Sequence, residues 1–325
     1  MVFFYSILLI VLAVFFMKLI SKEIELGIWS IKVFHSPSII SDPPDSNHFQ
    51  MPTIQAANVT DVHAEFIADP FIIENENTYF MFFEVFDKAR GKGIISVAKS
   101  MNGEQWTYDK IVLKENYHLS YPYVFKHNGD FYMIPESSEA SGVFLYKSKN
   151  FPYDWEKTSE LLTGKYVDSS LFRYMDKWWM FSGENGKLHL FLSDHLESGW
   201  KEHPKSPIIT DDFTITRPGG RVIEEGKRIY RYTQDGTPAY GSAVRAFEIT
   251  LLSEKEYEEK EVNLILKGTE KELDWRKDGM HSIDQLKIDE NKWLIAVDGH
   301  KLEYKNYLLW KLDSVVTKLA EIFRA

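Results

Sequence analysis

Apolar and aromatic runs alternate with short polar turns along most of the chain after residue 60. The stretch "ADPFIIENENTYFMFFE", which starts at Ala68, shows the form: an acid beside a proline, an apolar strand, a polar turn, an aromatic strand and a closing acid. Such a pattern predicts an antiparallel hairpin. Four later segments repeat it: "SYPYVFKHNGDFYMIPE" from Ser120, "VDSSLFRYMDKWWMFSGE" from Val167, "TRPGGRVIEEGKRIYRYTQD" from Thr216 and "HSIDQLKIDENKWLIAVDG" from His281.

Each of the first three hairpins is followed by a third apolar run and then by a segment that contains Trp106, Trp155 or Trp200. Units of four strands that recur about every 50 residues are typical of propeller blades. The sequence therefore predicts an all-β fold, a five-bladed β-propeller with four-stranded antiparallel blades over residues 60–325. A β-sandwich is the alternative, but it leaves the repeated closing acids unexplained. Two stretches are predicted as helices, "LLSEKEYEEKEV" from Leu251 and "DSVVTKLAEIF" near the C-terminus.

The first residues differ from the rest. The run "VFFYSILLIVLAVFF" is uncharged from Val2 to Phe16, and apolar residues continue it around Lys18. A bilayer-spanning helix needs about 20 apolar residues, so residues 1–24 are predicted to be a single-pass membrane anchor. The alternative is a signal peptide, although no basic residue precedes the run. Lys18 and Lys22 weakly favour a cytoplasmic body and leave the orientation open. Residues 25–59 are predicted to lead into the propeller.

Composition narrows the classes of function. The net charge of -10 disfavours nucleic acid as a partner, because phosphate binding needs a basic surface. The absence of cysteine excludes disulfides and zinc–thiolate sites. Aromatic residues make up 15% of the chain, a bias that suits strands and also suits surfaces that stack on sugars.

Propeller geometry brings the repeated polar positions together. In a blade, the start of the first strand and the end of the second meet on one rim of the central channel. Five such pairs are predicted around one funnel: Asp69 with Glu84, Tyr121 with Glu136, Asp168 with Glu184, Arg217 with Asp235, and His281 with Asp298. Any one of these carboxylates could instead accept backbone N–H groups and serve only the fold.

The motifs "ADPF", "YPYVF", "YMIPE", "VDSSLF" and "RPGGR", with the Trp of each outer segment, resemble the N-terminal domain of glucosamine inositolphosphorylceramide transferase. The stretch "GIWSIKVF" after Leu26 is similar to that domain's first strand. The resemblance implies a five-bladed propeller similar to family 43 glycoside hydrolases. It also implies that the transferase activity of the plant proteins belongs to a separate C-terminal domain, so we do not expect that activity of these residues.

The family 43 likeness implies a catalytic set. Asp69 matches the general base, and Asp168 matches the carboxylate that orients the acid and modulates its pKa. The stretch that matches the family's acid reads "RPGGR" and has no Glu, so Glu136 is our substitute candidate for the general acid. Glycoside hydrolysis needs one protonated and one ionised carboxyl group across the sugar ring, and crowded carboxylates raise the pKa of one member.

Other rim residues are predicted to bind substrate. Arg217 and Arg221 could grip a carboxylate or phosphate group, or neutralise Asp168 and Asp235. Tyr121 is a candidate for stacking on a sugar, and Trp179 for stacking or for packing between blades. No cofactor is predicted, except that a calcium ion in the central channel is possible. His281 resembles a histidine that lies near a central calcium ion in family 43 relatives. The alternative is that His281 has only a structural role. The remaining binding candidates are Glu84, Glu184, Asp235 and Asp298.

Two functions remain open from the sequence. The first is a membrane-tethered, glycoside hydrolase-like protein that acts on a cell-envelope or capsular glycan. The second is a non-catalytic module that binds a glycan or glycoconjugate and assists a glycosyltransferase. A protein-interaction propeller is a third alternative, which calls for a broad apolar or charged surface.

Overall fold

The protein is a ring of five antiparallel sheets in a computed structural model that describes residues 21–324, with side chains up to residue 320. The first strand, β1 (Glu23–Ser36), belongs to the last blade. Blade one contains β2 (Ala64–Asn75), β3 (Thr78–Asp87), β4 (Lys92–Ser100) and β5 (Thr107–Leu113). Blade two contains β6 (Ser120–His127), β7 (Asp130–Glu136), β8 (Gly142–Asn150) and β9 (Tyr153–Thr163).

The remaining blades follow in chain order. Blade three contains β10 (Val167–Tyr174), β11 (Lys177–Glu184), β12 (Lys187–Ser193) and β13 (Lys201–Glu202). Blade four contains β14 (Ile223–Glu225), β15 (Arg228–Asp235), β16 (Ala243–Leu252) and β17 (Tyr257–Lys267). Blade five contains β18 (Ile283–Asp289), β19 (Lys292–Asn306) and β1. The predicted five-bladed propeller is confirmed, and the strand order within blades one to four follows the sequence.

Blade five closes the ring with a strand from the other end of the chain. Its sheet has the order β1-β19-β18, and β1 pairs with β19 without interruption from Glu23↔Asn306 to Ser36↔Trp293. On its outer side, β1 forms a short bridge from Ile31 to Ile54. The segment that leads into the propeller therefore supplies the third strand of blade five and joins the first blade to the last.

Apolar side chains fill the spaces between blades, which explains the aromatic strands. Phe82 of blade one meets Trp155 of blade two edge to face, with ring centroids 5.6 Å apart. Trp179 is buried among the apolar residues of blades three and four, and its indole N–H donates to the carbonyl of Tyr174. Its position fits the predicted packing between blades.

One helix prediction is wrong. The stretch "LLSEKEYEEKEV" forms the end of β16, a turn and the start of β17. Glu259 and Glu261 are two residues apart, so they lie on one face of the strand, where they pair with Arg231 and Arg245. Pairing with β16 and these ion pairs outweigh the helix propensity of the charged run.

The first strands of blades one to three begin with the same backbone distortion. Asp69, Tyr121 and Asp168 have positive φ angles of 54°, 44° and 52°, which are uncommon for residues other than glycine. Each lies at a register shift between the first two strands of its blade. These bulges occupy the rim where the predicted site residues meet.

The predicted C-terminal helix is confirmed as α1 (Tyr307–Arg324). It packs against blade one, where the indole N–H of Trp310 donates to Glu65 and the hydroxyl of Ser314 donates to the carbonyl of Lys88. Between residues 21 and 324, no helix combines the length and the apolar character that crossing a membrane requires. The membrane anchor predicted at residues 1–24 falls almost entirely outside the described residues.

Candidate functional site

A cavity of about 330 Å³ opens at the rim where the blade bulges lie, a size within the usual range for ligand sites. Residues from all five blades line it: Trp29, Phe66, Ala68, Asp69, Glu84, Phe86, His118, Ser120, Glu136, Ser138, Val167, Arg217, Tyr240 and His281. Five of the predicted site residues are in this lining, namely Asp69, Glu84, Glu136, Arg217 and His281. Three of these five are acids, so the wall is acidic but also contains two potential cations.

Asp69 is buried at the bulge that begins β2. Its Oδ2 accepts the backbone N–H of Tyr121 at 3.2 Å, whereas its Oδ1 has no hydrogen-bond partner and lies 3.6 Å from Nε2 of His281. Burial raises the pKa of the Asp69 carboxyl to about 7. The cations of His281 and Arg217 oppose this rise, and neighbouring carboxylates add to it. Asp69 therefore changes charge near neutral pH.

Glu84 lies in β3 directly beside Asp69, since Ala68 and Glu84 are partners in the strand register. Its Oε1 is buried without a hydrogen bond, and the closest donor is Nε2 of His118 at 3.4 Å. Burial first, and then the charge of Asp69 and other carboxylates, raise the pKa of Glu84 well above its ordinary value. The surroundings of Glu84 thus favour the protonated acid.

His118 supports this arrangement as a neutral ring. Its Nδ1 accepts the backbone N–H of Gly93 at 2.9 Å, so the neutral ring carries its proton on Nε2, which faces Glu84. Burial lowers the pKa of His118, and the charge of Glu136 only partly opposes that effect. His118 therefore does not offer Glu84 a full positive charge.

Glu136 lies on the cavity wall in blade two and is held at both oxygens. The hydroxyl of Ser120 donates to Oε2 at 3.0 Å, and the backbone N–H of Ser138 donates to Oε1 at 2.9 Å. Ser120 is also the register partner of Glu136. The carboxylate is therefore fixed in position at the cavity.

Arg217 reaches the cavity from blade four and neutralises the buried Asp168. Its Nε donates to Oδ2 of Asp168 at 2.5 Å, and the same oxygen accepts the side-chain amide of Gln234 at 2.9 Å. The Arg217 side chain is about one-third exposed, and its guanidinium lies 5.1 Å from the ring centroid of Tyr240. Arg217 thus presents a cation to the cavity while Asp168 lies behind it, outside the lining.

His281 and Asp298 form a buried pair in blade five. Nδ1 of His281 lies 2.9 Å from Oδ1 and 2.8 Å from Oδ2 of Asp298. Burial opposes protonation of His281, but the charges of Asp298 and Asp69 raise the pKa of its ring overall. In Asp298, burial acts against ionisation, yet the His281 charge and several hydrogen bonds lower the pKa. The two residues therefore form an imidazolium–carboxylate pair, in which His281 lines the cavity and Asp298 does not.

Asp69, His281 and Asp298 offer ligand atoms within 4.8 Å of one another, which tests the expected calcium position. Asp298 accepts five hydrogen bonds, from the backbone N–H groups of Asp69, His281 and Ser282, from Nδ1 of His281 and from the hydroxyl of Ser282. Calcium prefers six to eight oxygen ligands. Because these hydrogen bonds already occupy the oxygens of Asp298, the three residues do not fit a calcium ion. The arrangement fits the alternative role of His281, that of a structural histidine.

A profile of one protein family, described as glucosamine inositolphosphorylceramide transferase 1, N-terminal, matches residues 25–300. The chain belongs to this family. Two curated relatives are both named glucosamine inositolphosphorylceramide transferase 1. The protein from Oryza sativa subsp. japonica is 33% identical over 250 residues, which cover 74% of this chain and 34% of the relative. The protein from Arabidopsis thaliana is 32% identical over 305 residues, which cover 86% of this chain and 40% of the relative.

The chain therefore spans between a third and two-fifths of the length of these transferases. Among solved structures, it is similar in fold to an exo-1,5-alpha-L-arabinanase from a bovine ruminal metagenomic library, with a TM-score of 0.53 and 16% identity over 73% of this chain and 92% of the other. An arabinanase of Bacillus subtilis gives a TM-score of 0.53 and 13% identity over 71% and 93% of the two chains. These likenesses show the propeller fold.

The remaining predicted site residues of this family member lie outside the cavity lining. Tyr121 is fully buried, and its hydroxyl shares a hydrogen bond with Ser170 at 2.8 Å, so its ring does not reach the cavity. Four others are absent from the lining and contact other residues: Glu184 with the N–H of Lys165, Arg221 with Asp284, Asp235 with Arg245, and Asp298 with the lining residue His281.

The glycines of the family motif "RPGGR" serve the contact between blades. A Cβ atom on Gly220 would lie 2.0 Å from the carbonyl oxygen of Ile283 in blade five. Gly220 and Ile283 also form a parallel bridge. The absence of a side chain at Gly220 therefore allows the backbones of blades four and five to approach closely.

Sequence reasoning missed three residues that shape the cavity of this family member. Trp29 comes from β1 and stacks on His281 and His300 at centroid distances of 4.0 Å and 4.1 Å. Tyr240 lies between β15 and β16, and His118 precedes β6. Trp29 lies in the quoted stretch "GIWSIKVF", but its place in the cavity depends on ring closure.

Proposed function

We propose that this propeller acts on a glycan or glycoconjugate as a glycoside hydrolase-like enzyme, with Asp69 as general base and Glu84 as general acid. One observation carries the proposal. The two buried carboxyl groups face one cavity, each has an oxygen without a hydrogen-bond partner, and each has a raised pKa. Groups of this kind in a cleft are candidates for proton transfer.

The environments of the two acids divide their roles. The charges of His281 and Arg217 favour the ionised form of Asp69, although burial and neighbouring carboxylates raise its pKa overall. Glu84 lies among carboxylates, which favour its protonated form. In the proposed reaction, Asp69 accepts a proton from the attacking water while Glu84 donates a proton to the departing glycosidic oxygen. Water is thereby added across the glycosidic bond, as in carboxyl-based glycoside hydrolysis.

Glu136 remains our sequence-based prediction for the acid and is the competing candidate. The hydrogen bonds from Ser120 and Ser138 suit a carboxylate that contacts a sugar hydroxyl. Asp168 was predicted to orient the acid and modulate its pKa; in this proposal it supports the site indirectly, because its contact with Arg217 holds the guanidinium at the cavity. Arg217, His118 and the aromatic rings of Trp29 and Tyr240 provide the polar and stacking contacts that a sugar ring needs.

A glycan-binding module that assists a glycosyltransferase is the second candidate. The relatives are named as transferases, and this chain matches only a third to two-fifths of their length. Internal hydrogen bonds also engage Asp168 and Asp298 behind the lining residues Arg217 and His281, an arrangement that suits recognition as well as catalysis.

The two candidates separate in one experiment. The full chain is incubated with a panel of glycans and glycolipids, and hydrolysis and binding are both measured for the wild type, Glu84→Gln, Glu136→Gln and Glu184→Gln. Glu184→Gln is the matched control, because it ends the corresponding strand of blade three but lies outside the cavity. We expect Glu84→Gln to reduce turnover by about 10²–10⁴-fold with binding retained.

Either of two results would contradict the proposal as stated. Hydrolysis that persists in Glu84→Gln but disappears in Glu136→Gln would return the acid role to Glu136. Binding without hydrolysis across the panel, unaltered by Glu84→Gln, would favour the binding module.

A further inference from the structure

Helix α1 presents its apolar side away from the propeller, which is the reverse of the usual arrangement for a surface helix. Leu309, Leu312, Val316 and Leu319 recur at spacings of three and four residues, and with Val315 they form the apolar stripe. All five side chains of this apolar stripe are at least half exposed, from 50% for Leu319 to 68% for Leu309. A contiguous exposed apolar stripe of this kind indicates a binding surface.

The opposite side of α1 fixes the helix on the protein. Trp310 and Ser314 donate hydrogen bonds to Glu65 and to the carbonyl of Lys88, and Asp313 forms an ion pair with the Lys88 ammonium group. The helix also follows β19 directly, without a linker. Its orientation is therefore set by blade one, and the apolar stripe cannot turn inward without breaking these contacts.

The place where α1 begins points to the partner. The backbone N–H of Tyr307 donates to the carbonyl of Lys22 at 2.8 Å, so the chain enters β1 and leaves β19 at the same point. The uncharged apolar run Val2–Phe16 ends only a few residues before that point in the sequence. The apolar run and α1 are thus linked in sequence to neighbouring residues of the propeller, Lys22 and Tyr307.

The charges around the apolar stripe fit a lipid headgroup region. The overall charge of the chain is -10, yet Lys22, Lys311 and Lys318 are exposed beside or along α1. Lys22 lies over the ring of Tyr307, with 4.4 Å between its Nζ and the ring centroid. Amphipathic helices that rest on membranes combine an apolar stripe with flanking lysines and aromatic rings.

We propose that the apolar stripe of α1 lies on a lipid bilayer and holds the cavity-bearing face of the propeller against it. Glu65 and Lys88 hold α1 on the propeller. Glu65 directly precedes Phe66, and Lys88 is two residues after Phe86; both phenylalanines line the cavity. The helix therefore lies at the same rim as the cavity. The inference concerns membrane contact and does not depend on whether the cavity hydrolyses its ligand.

The absence of native cysteine allows a direct test. Single variants Leu312→Cys and Val316→Cys are made in the full chain, labelled with a polarity-sensitive fluorophore and reconstituted into vesicles of phosphatidylcholine and phosphatidylglycerol. Met101→Cys is the control, because Met101 is 73% exposed and follows β4 at the end remote from the cavity. Quenching is measured with iodide in the water and with doxyl-labelled lipid in the bilayer.

We expect both labels on the apolar stripe to be quenched by the doxyl lipid and protected from iodide, and the Met101 label to behave in the opposite way. Protection from iodide without quenching by the doxyl lipid would overturn the proposal, because it would mean that protein covers the stripe. Iodide quenching equal to that of the Met101 label would overturn it as well.

A second variant tests whether the apolar stripe causes the contact with the bilayer. Leu312→Glu combined with Val316→Glu should abolish doxyl-lipid quenching of a label at Leu309→Cys. The two substituted side chains are 60% and 62% exposed, so the thermal unfolding midpoint should not change. Unchanged lipid quenching in this variant would contradict the role of the stripe.

Discussion

The raised pKa of Asp69 predicts how the stability of the protein depends on pH, and Asp69→Asn tests it. In the folded chain the carboxyl keeps its proton up to about pH 7, whereas the unfolded chain releases that proton near the ordinary value of 3.8. The stabilising contribution of the protonated carboxyl is complete below pH 3.8. It is lost as pH rises through about 7, because ionised Asp69 is costly to bury.

The size of the effect follows from the same interval. At 1.36 kcal/mol per pH unit, the roughly three pH units between 3.8 and about 7 correspond to a loss of at most about 4 kcal/mol. Asn cannot ionise, so the Asn variant should gain stability relative to the wild type across this window. Asn also suits the backbone at this position, where φ is 54°, and its carbonyl oxygen can still accept the N–H of Tyr121.

The assay is urea unfolding of the full chain in mild detergent at a series of pH values between about 4 and 8, spanning the window in which Asp69 changes charge. Asp298→Asn is the control of opposite sign. The pKa of Asp298 is lowered, so its ionised form stabilises the fold above pH 3.8 and the Asn variant should be destabilised at neutral pH. Parallel pH profiles for the wild type and Asp69→Asn would refute the assigned pKa and, with it, the proposed base.

Two further predictions concern the contacts that build the cavity. Arg217→Met leaves a buried carboxylate unpaired and should lower the free energy of unfolding by about 3–5 kcal/mol, whereas Lys149→Met removes an exposed ion pair and should cost less than about 1 kcal/mol in the same urea assay. Gly220→Ala would drive a Cβ into a backbone oxygen of the next blade and should cost about 1–3 kcal/mol. Gly236→Ala, whose closest neighbour would be 3.7 Å away, should be nearly neutral, and equal costs for the two glycines would contradict the close approach of the blades.

The sequence predicted the ring because each blade repeats a local pattern of strand, turn and strand. The rim pairs were predicted from the same repeat, and in the structure Glu84 and Glu136 pair in register with Ala68 and Ser120, the residues directly before Asp69 and Tyr121. Contacts between distant segments were not predictable in this way. Trp29 enters the cavity only because β1 pairs with β19, which lies at the far end of the chain.

The helix predictions illustrate a related limit. The charged run that starts at Leu251 has high helix propensity, but its glutamates meet Arg231 and Arg245 from neighbouring strands, and no local pattern encodes those partners. The prediction at the C-terminus is confirmed, although periodicity alone did not reveal that the apolar side of α1 would face outward.

Each blade places polar side chains at the same position on the rim. These side chains nevertheless differ chemically, because different hydrogen-bond donors surround them. Asp298 accepts five hydrogen bonds, and Asp168 accepts hydrogen bonds from Arg217 and Gln234. Both carboxylates therefore have their hydrogen-bond donors within the protein. At Asp69 and Glu84, one oxygen each remains without a donor although both are buried. Burying an unpaired acceptor costs free energy, commonly about 1–3 kcal/mol. Among these four rim carboxyl groups, the cost falls on the two of blade one, which line the cavity, where a ligand hydroxyl could supply the missing hydrogen bonds.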